Sequence, residues 1–385
     1  MAGGGTAGHV QPALAVARVL AETHGEGSVE LVGSRRGLEA ELLLDAGMPV
    51  SLLAGRGIQR RVAPSTVLAN AVAVGGLAWA LVRSFVMILA RRPAVVVAVG
   101  GYASLAPSIA AVALGVPLVV VNVDVVPGAA NRILARLARA SAVGWPSTCL
   151  PRAVVTGAPV RDPIIAARER PIGRAGARRA LGLPEGRFLV AVFGGSLGAR
   201  RINEAVLGLA GIWRARADRA IYHVVGERDW SRVVGPDSEA DRGELLYVQV
   251  PYEDRMELLY QAADIAVCRA GAMTVAELAV VGLPAVLVPL PGAPGDHQSA
   301  NARALEAVRA AVVVSDAQCT PTVLAGILDE LAEDRSRLDA MGEAAAALGR
   351  PDAARAVAAL VEEAAGHAGS HVCEGTARLG QEVNP

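Results

Sequence analysis

The sequence contains no lysine: all 37 of its basic residues are arginine. A Walker-type phosphate loop and a Schiff-base lysine are therefore excluded, because both need an ε-amino group. Aromatic residues are scarce, at 3% of the chain, too few for a base-stacking platform. Net charge is absent as well, since 37 acids balance the 37 arginines, whereas a dedicated nucleic-acid binder carries a basic excess. No nucleic-acid partner is expected. The cysteines Cys149, Cys268, Cys319 and Cys373 are scattered, with no pair at metal-ligand spacing. That usage points to a reducing compartment and to no structural metal. Met1 leads straight into glycines rather than a charged and then apolar leader, so the expected location is the cytoplasm.

What is abundant is valine, alanine and glycine. The length of 385 residues suffices for two or three domains. Valine-rich runs alternate with alanine-rich helical stretches, the pattern of parallel sheets covered by helices. Strand candidates in the first half are Val29 to Val32, Ala94 to Val99 and Pro117 to Val121. In the second half they are Phe188 to Phe193, Ala220 to Val225, Leu245 to Val250, Asp264 to Cys268 and Ala285 to Val288. Pro151 to Pro171, rich in proline, glycine and arginine, reads as the connection. The expected organisation is two α/β domains, 1–161 and 162–350, then a helix at 351–365 and a disordered tail at 366–385.

A glycine loop that opens a helix normally follows a buried strand. Here Gly3-Gly4-Gly5-Thr6-Ala7-Gly8 starts two residues into the chain, so the first strand is expected to be missing, through a misplaced start, and its place in the sheet to be open. The other anomaly is the apolar run from Val67 to Ala90, interrupted by Gly75-Gly76 and Arg83 and flanked by Arg60-Arg61 and Arg91-Arg92. It fits a buried core helix, a helix lying in a membrane interface, or a span, and periodicity does not choose among them.

Three segments carry chemistry. Gly3, Gly5 and Gly8 fit G-x-G-x-x-G ahead of a helix; glycines let backbone amides approach a diphosphate, and the helix start adds positive potential. The same loop suits an NADP-dependent oxidoreductase, with Ser34-Arg35-Arg36 after the next strand placed to hold a 2′-phosphate. A second cradle, Gly194-Gly195-Ser196-Leu197-Gly198-Ala199, follows a strong strand. Two cradles in two α/β domains point to ligands held in a cleft at the carboxyl ends of the strands. The third segment runs from Cys268-Arg269-Ala270-Gly271 through Ala272, Met273, Thr274, Val275 and Ala276 to Glu277, followed by Gly295-Asp296-His297-Gln298 and Asn301-Ala302. A glycine-opened helix there presents amides to phosphate and, about one turn in, a carboxylate to ribose hydroxyls.

These motifs together make the chain resemble the glycosyltransferase family 28 N-acetylglucosaminyltransferases of peptidoglycan synthesis, which have the two-domain GT-B fold. The family's GGTGGH stands here as Gly4-Gly5-Thr6-Ala7-Gly8-His9, its GGY-x-S as Gly100-Gly101-Tyr102-Ala103-Ser104, and its P-G-x-x-N-R as Pro127-Gly128-Ala129-Ala130-Asn131-Arg132. Its GGSQGA stands as Gly194 to Ala199, and its C-R-[SA]-G-A-x-T-x-x-E and D-x-Q-x-x-N-A are intact. The resemblance implies two Rossmann-like parallel-sheet domains facing a cleft. It also implies inverting transfer of N-acetylglucosamine from UDP-N-acetylglucosamine to undecaprenyl-diphosphate-linked muramoyl-pentapeptide, at the cytoplasmic face of the membrane and without cofactor or metal. The implied donor contacts are Thr6, Ala7, Gly8, Asp124, Arg161, Ser196, Glu253, Ala272 to Glu277 and Gln298; the implied acceptor contacts are Gly5, His9, Tyr102, Ser104 and Asn131.

The chain departs from the pattern in places. Where the family has H-E-Q-N, it reads Val121-Asn122-Val123-Asp124; Leu197 replaces the glutamine of GGSQGA, and Ala158 the asparagine before Pro159-Val160-Arg161. The departures bear on the acceptor and on the base. His9, with an ordinary pKa near 6.5, suits the base role, and Asp124 is the alternative. A transferase with another polyprenyl or natural-product acceptor and a non-catalytic lipid-diphosphate binder are the competing functions, beside the oxidoreductase. Split at Arg161, the neutral total resolves into 14 arginines against 7 acids (+7) and 23 against 30 (−7). The basic half carries the apolar run together with Arg132, Arg136 and Arg139 at helical spacing, which suits docking on an anionic bilayer.

Overall fold

Runs of valine and alanine with no polar face need cover on both sides, and they form two all-parallel sheets. The computed structural model describes residues 1–4, 7–35, 43–44, 46–53, 64–195, 199–233 and 243–366, with residues 7 and 64–74 described by backbone alone. The first sheet contains β1 (Ala2–Gly3), β2 (Leu31–Ser34), β3 (Val50–Leu53), β4 (Val96–Gly100), β5 (Leu118–Asn122), β6 (Ala140–Val143) and β7 (Ala153–Val155), in the order β3-β2-β1-β4-β5-β6-β7. The second contains β8 (Phe188–Phe193), β9 (Arg219–Val224), β10 (Leu246–Val250), β11 (Ile265–Cys268), β12 (Ala285–Leu287) and β13 (Ala311–Val313), in the order β10-β9-β8-β11-β12-β13. Strand order reverses beside β1 and again beside β8. Such reversals leave crevices at the carboxyl ends of the strands, where ligands of doubly wound folds bind.

The expectation of a missing first strand is corrected. A two-residue β1 fills the place between β2 and β4, pairing Ala2 with Val32 and Ala98, and Gly3 with Gly100. Both residues are buried, and Val32 N–H donates to the Met1 carbonyl at 2.7 Å. The Pro151–Pro171 connection is likewise more structured than its composition suggests, because it includes edge strand β7 and the Asp162–Glu169 helix. The Ala353–Ala364 helix returns to the first sheet's side: His24 Nε2 meets Glu362 Oε1 at 2.8 Å, and Arg139 reaches the Ala364 carbonyl at 3.4 Å. The tail expected to be disordered lies, beyond Gly366, outside the described residues.

The apolar run forms the Pro64–Arg91 helix. One stripe, Ala80, Ser84 and Ile88, is buried at spacing four, and the Ser84 hydroxyl is satisfied by the Ala80 carbonyl at 2.7 Å. The opposite stripe is exposed yet still apolar: Trp79, Val82, Val86 and Leu89, each more than half exposed, with Arg83 among them. From Gly75 to Arg91 the helix is thus core on one side and uncovered on the other. Among the described residues, no helix is long and apolar enough to cross a membrane.

Candidate active site

The first-sheet wall of the cleft is made by close backbone approach. Gly100 and Gly101 end β4 at φ 112° and 75°, a region that glycine adopts without strain. A Cβ on Gly101 would overlap the Gly4 carbonyl oxygen, 1.5 Å away, and one on Gly100 would lie 2.9 Å from His9 Cδ2 and 3.1 Å from Nε2. His9 sits in the first turn of the Ala7–His24 helix with its ring laid on the Gly100 backbone, and Asn131 Oδ1 lies 3.4 Å from that same point. Asn131 is buried; its Nδ2 donates to the Val121 carbonyl and to Asn122 Oδ1, both at 3.1 Å, while its Oδ1 has no hydrogen-bond partner. Asn122, in the place of the family's glutamate, closes this chain by donating to the Asp124 carbonyl at 2.6 Å. Burial lowers the His9 pKa; the Asp124 carboxylate works against that shift and His297 adds to it. His9, Asp124 and His297 therefore share one electrostatic environment, although His297 belongs to the second half.

Asp124 also joins the two halves physically. Its Oδ1 accepts from Asn301 Nδ2 at 2.9 Å, and Val125 N–H donates to Asn301 Oδ1 at 2.9 Å. Asn301 is fully buried, and its Nδ2 also donates to the Ala270 carbonyl at 3.2 Å, beside the second half's glycine turn.

On that side Gly271 caps the Ala272–Val281 helix, and no side chain occupies the cap. The first-turn amides have no acceptor within the helix, so the helix start is an anion site by geometry. Glu277, 5% exposed, lies at the back of this turn. Arg161 grips it with both arms, Nε to Oε1 at 2.8 Å and Nη2 to Oε2 at 3.2 Å, and Tyr260 donates to Oε2 at 3.0 Å. Burial opposes the Arg161 charge, but the Glu277 carboxylate outweighs it and raises the guanidinium pKa. Gln298 Oε1 accepts from Leu290 N–H at 2.9 Å, and Arg269 donates to the Val288 and Pro289 carbonyls at 3.1 and 3.2 Å, so both fix the loop that follows β12. Tyr252 is exposed, while Glu253 is buried beneath it: Tyr222 donates to Oε2, and Arg255 N–H donates to Oε1 at 2.8 Å. Burial would raise the Glu253 pKa, but these hydrogen bonds hold it low. The Glu253 side chain is thus committed to holding its own turn.

The expected site residues fall into several groups. His9 and Asn131 meet at Gly100; Arg161 meets Glu277, Asp124 meets Asn301 beside the Gly271 turn, and Gln298 holds the loop at Leu290. Tyr102 and Ser104 stand apart: Ser104 Oγ is spent on the Gly101 carbonyl at 2.8 Å, and Tyr102 lines a small apolar pocket with Leu53, Leu77 and Ala106. Gly5, Thr6 and Ser196 lie outside the described residues, as do the side chain of Ala7 and all of Arg36; Arg35 donates to the Leu52 carbonyl at 3.3 Å. Among the described residues no group of three or more histidine, cysteine or acidic side chains could hold a metal ion. Sequence reasoning missed Tyr260 and the bridging role of Asn301. Asn301 lay inside a quoted motif, whereas Tyr260 stands on a different helix and no spacing rule reaches it.

Comparison with known proteins places both sheets in one family. Residues 1–143 match the family model described as glycosyltransferase family 28 N-terminal domain, and residues 189–357 match the corresponding C-terminal domain. A relative from Nocardioides sp., named UDP-N-acetylglucosamine–N-acetylmuramyl-(pentapeptide) pyrophosphoryl-undecaprenol N-acetylglucosamine transferase, is 41% identical over 94% of this chain and 97% of its own. One of the same name from Acidothermus cellulolyticus is 41% identical over 95% and 97%. Among solved structures, Acinetobacter baumannii MurG superposes with a TM-score of 0.71 at 29% identity, covering 93% of this chain and 97% of that one.

Proposed function

Because the chain belongs to glycosyltransferase family 28, we propose that it transfers N-acetylglucosamine from UDP-N-acetylglucosamine to undecaprenyl-diphosphate-linked muramoyl-pentapeptide, with inversion at the anomeric carbon. The observation that carries this reading is the pairing, across one cleft, of an uncapped helix start backed by Glu277 with a histidine whose pKa burial lowers. The donor occupies the second half. Amides of Ala272 to Thr274 and the Arg161 guanidinium face the diphosphate, Glu277 the ribose, Gln298 the sugar, and the backbone at Tyr252-Glu253 the uracil edge; Thr6, Ala7, Gly8 and Ser196 are the other donor contacts that the resemblance implies.

In the reaction the acceptor hydroxyl oxygen attacks C1 of the donor sugar from the face opposite the diphosphate. The C1–oxygen bond to phosphate breaks with its electron pair going to UDP, and the hydroxyl proton passes to His9. An imidazole whose pKa is held low by burial is neutral near pH 7 and able to take that proton. With no lysine in the chain, the charge developing on UDP is met by helix-start amides and Arg161. Asp124 has one oxygen committed to Asn301, so its part is to tie the halves together and to favour the proton once it reaches His9. Asn131 Oδ1, buried without a partner beside His9, is free to accept a hydrogen bond from the acceptor.

The membrane face belongs to the first half. Trp79, Val82, Val86 and Leu89 are exposed, as are Ile109 and Ile133 on two further helices that share one core cluster with theirs and Leu137 in the turn that follows. Exposed Arg83, Arg132, Arg136 and Arg139 accompany them, and near an anionic bilayer each contributes about 1 kcal/mol. Asn131 lies on the Ala129–Leu134 helix of this face, so the site opens where a lipid-linked diphosphate would arrive. The experiment is incubation of the full chain with UDP-N-acetylglucosamine and the polyprenyl-linked acceptor in anionic vesicles. A β-linked disaccharide lipid plus UDP is expected; UDP binding without disaccharide would assign another acceptor.

A further inference from the structure

Glu277 is held by two donors of opposite character. Its carboxylate has about four lone-pair positions. Arg161 Nε takes one on Oε1, while Arg161 Nη2 and Tyr260 Oη fill Oε2. A ribose diol that donates to both oxygens therefore needs the Arg161 arm on Oε2 to leave. Arg161 is able to leave: its side chain is 28% exposed and borders the cleft at the start of the Asp162–Glu169 helix. Tyr260 is not, being 3% exposed on the Met256–Ala262 helix with its ring 5.7 Å, centroid to centroid, from Phe193 at the end of β8.

We propose that Tyr260 is a positioning residue that keeps the Glu277 carboxylate aimed at the ribose diol when Arg161 turns to the diphosphate, and so sets the preference for ribo- over deoxyribonucleotide donors. This rests on the assignment of the donor ribose to Glu277. Burial and the adjacent carboxylate push the phenol well above its ordinary pKa, so it remains a donor at every working pH.

The test is Tyr260→Phe in the full chain, which deletes one oxygen and leaves the ring that packs on Phe193. Steady-state rates are measured with UDP-N-acetylglucosamine and with its 2′-deoxyuridine counterpart, and calorimetric binding of UDP and 2′-deoxy-UDP reads the same ratio without turnover. Loss of a hydrogen bond to a charged group should raise KM for the ribonucleotide about 10-fold, move kcat by less than about 2-fold, and shrink the deoxy-to-ribo KM ratio. Equal rises in both KM values, or an unchanged ratio, would overturn the proposal. Glu277→Gln separates the two layers. If wild type shows no ratio, or Glu277→Gln keeps it, the ribose contact fails and Tyr260's role with it. If the ratio collapses in Glu277→Gln but persists in Tyr260→Phe, only the role of Tyr260 fails.

Discussion

The two halves share one strand order and differ in how each builds its wall of the cleft. In the first half the wall is backbone against backbone, with Gly101 on Gly4 and the His9 ring on Gly100. In the second half it is side chain against side chain, with buried Glu277 and Tyr260 bonded to each other and to the partly exposed Arg161 at the junction of the halves. Their surfaces differ too. In the first half exposed large apolar residues include a helical stripe, Trp79, Val82, Val86 and Leu89, beside the isolated Leu44 and the edge-strand pair Val154 and Val155, whereas in the second they are scattered, at Ile172, Leu207, Ile212, Tyr252, Leu290, Val308 and Val323. Scattered apolar residues are ordinary on any protein surface, while a contiguous patch marks an interaction site. A common fold thus carries two different surfaces, and the proposed lipid-facing and nucleotide-facing roles follow that difference.

The largest expected effect breaks the second half's wall. Glu277→Ala removes the carboxylate that Arg161 and Tyr260 both hold and should cost about 1.5–3 kcal/mol of stability, read as a lowered urea midpoint, together with loss of donor binding. Next, Val82→Asp with Val86→Asp places two charges in the exposed stripe of the first half. Partition onto anionic vesicles should fall at least about 10-fold, while transfer to a water-soluble acceptor analogue persists; equal loss of both would remove the stripe from membrane docking. A subtler effect sharpens the link between the halves. Burial lowers the His9 pKa, so the acid limb of kcat/KM should lie below the ordinary histidine value of 6.5, with activity lost as pH falls through it. Asp124→Asn removes the charge that partly offsets burial and should move that limb to still lower pH. Outside the cleft, His223 is buried between Tyr247 and Asn203, and burial depresses its pKa to about 3. The unfolded chain therefore binds the extra proton first, and stability should decline as pH falls from about 6.5 toward 3, with a shallower decline in His223→Asn.

Much of this architecture is legible in the sequence. Phe188–Phe193 coincides with its predicted strand because six consecutive buried positions demand apolar residues. The strands that escaped are short or weakly patterned: β1 has two residues and β13 three, β3 and β6 have four each, β6 reading Ala-Ser-Ala-Val, and β7 is exposed at the sheet edge. The site divides the same way. Gly271, Glu277 and His9 announce themselves because a turn, a cap or a close approach restricts the residue type locally. Partners set by folding do not: Asn301 and Asp124 are 177 positions apart, and Arg161 and Glu277 are 116 apart. The apolar Val67–Ala90 run resolved only when one stripe was buried and the other left bare, a distinction that periodicity cannot make when both faces are apolar.

The proposed division of labour stands most directly on His9, a first-half group given the task of acting on a donor assigned to the second. Turnover and UDP affinity of His9→Ala, measured side by side, test it. Loss of a general base should lower kcat by about 10²- to 10⁴-fold while the UDP dissociation constant stays at its wild-type value. Turnover near that of wild type would contradict the account.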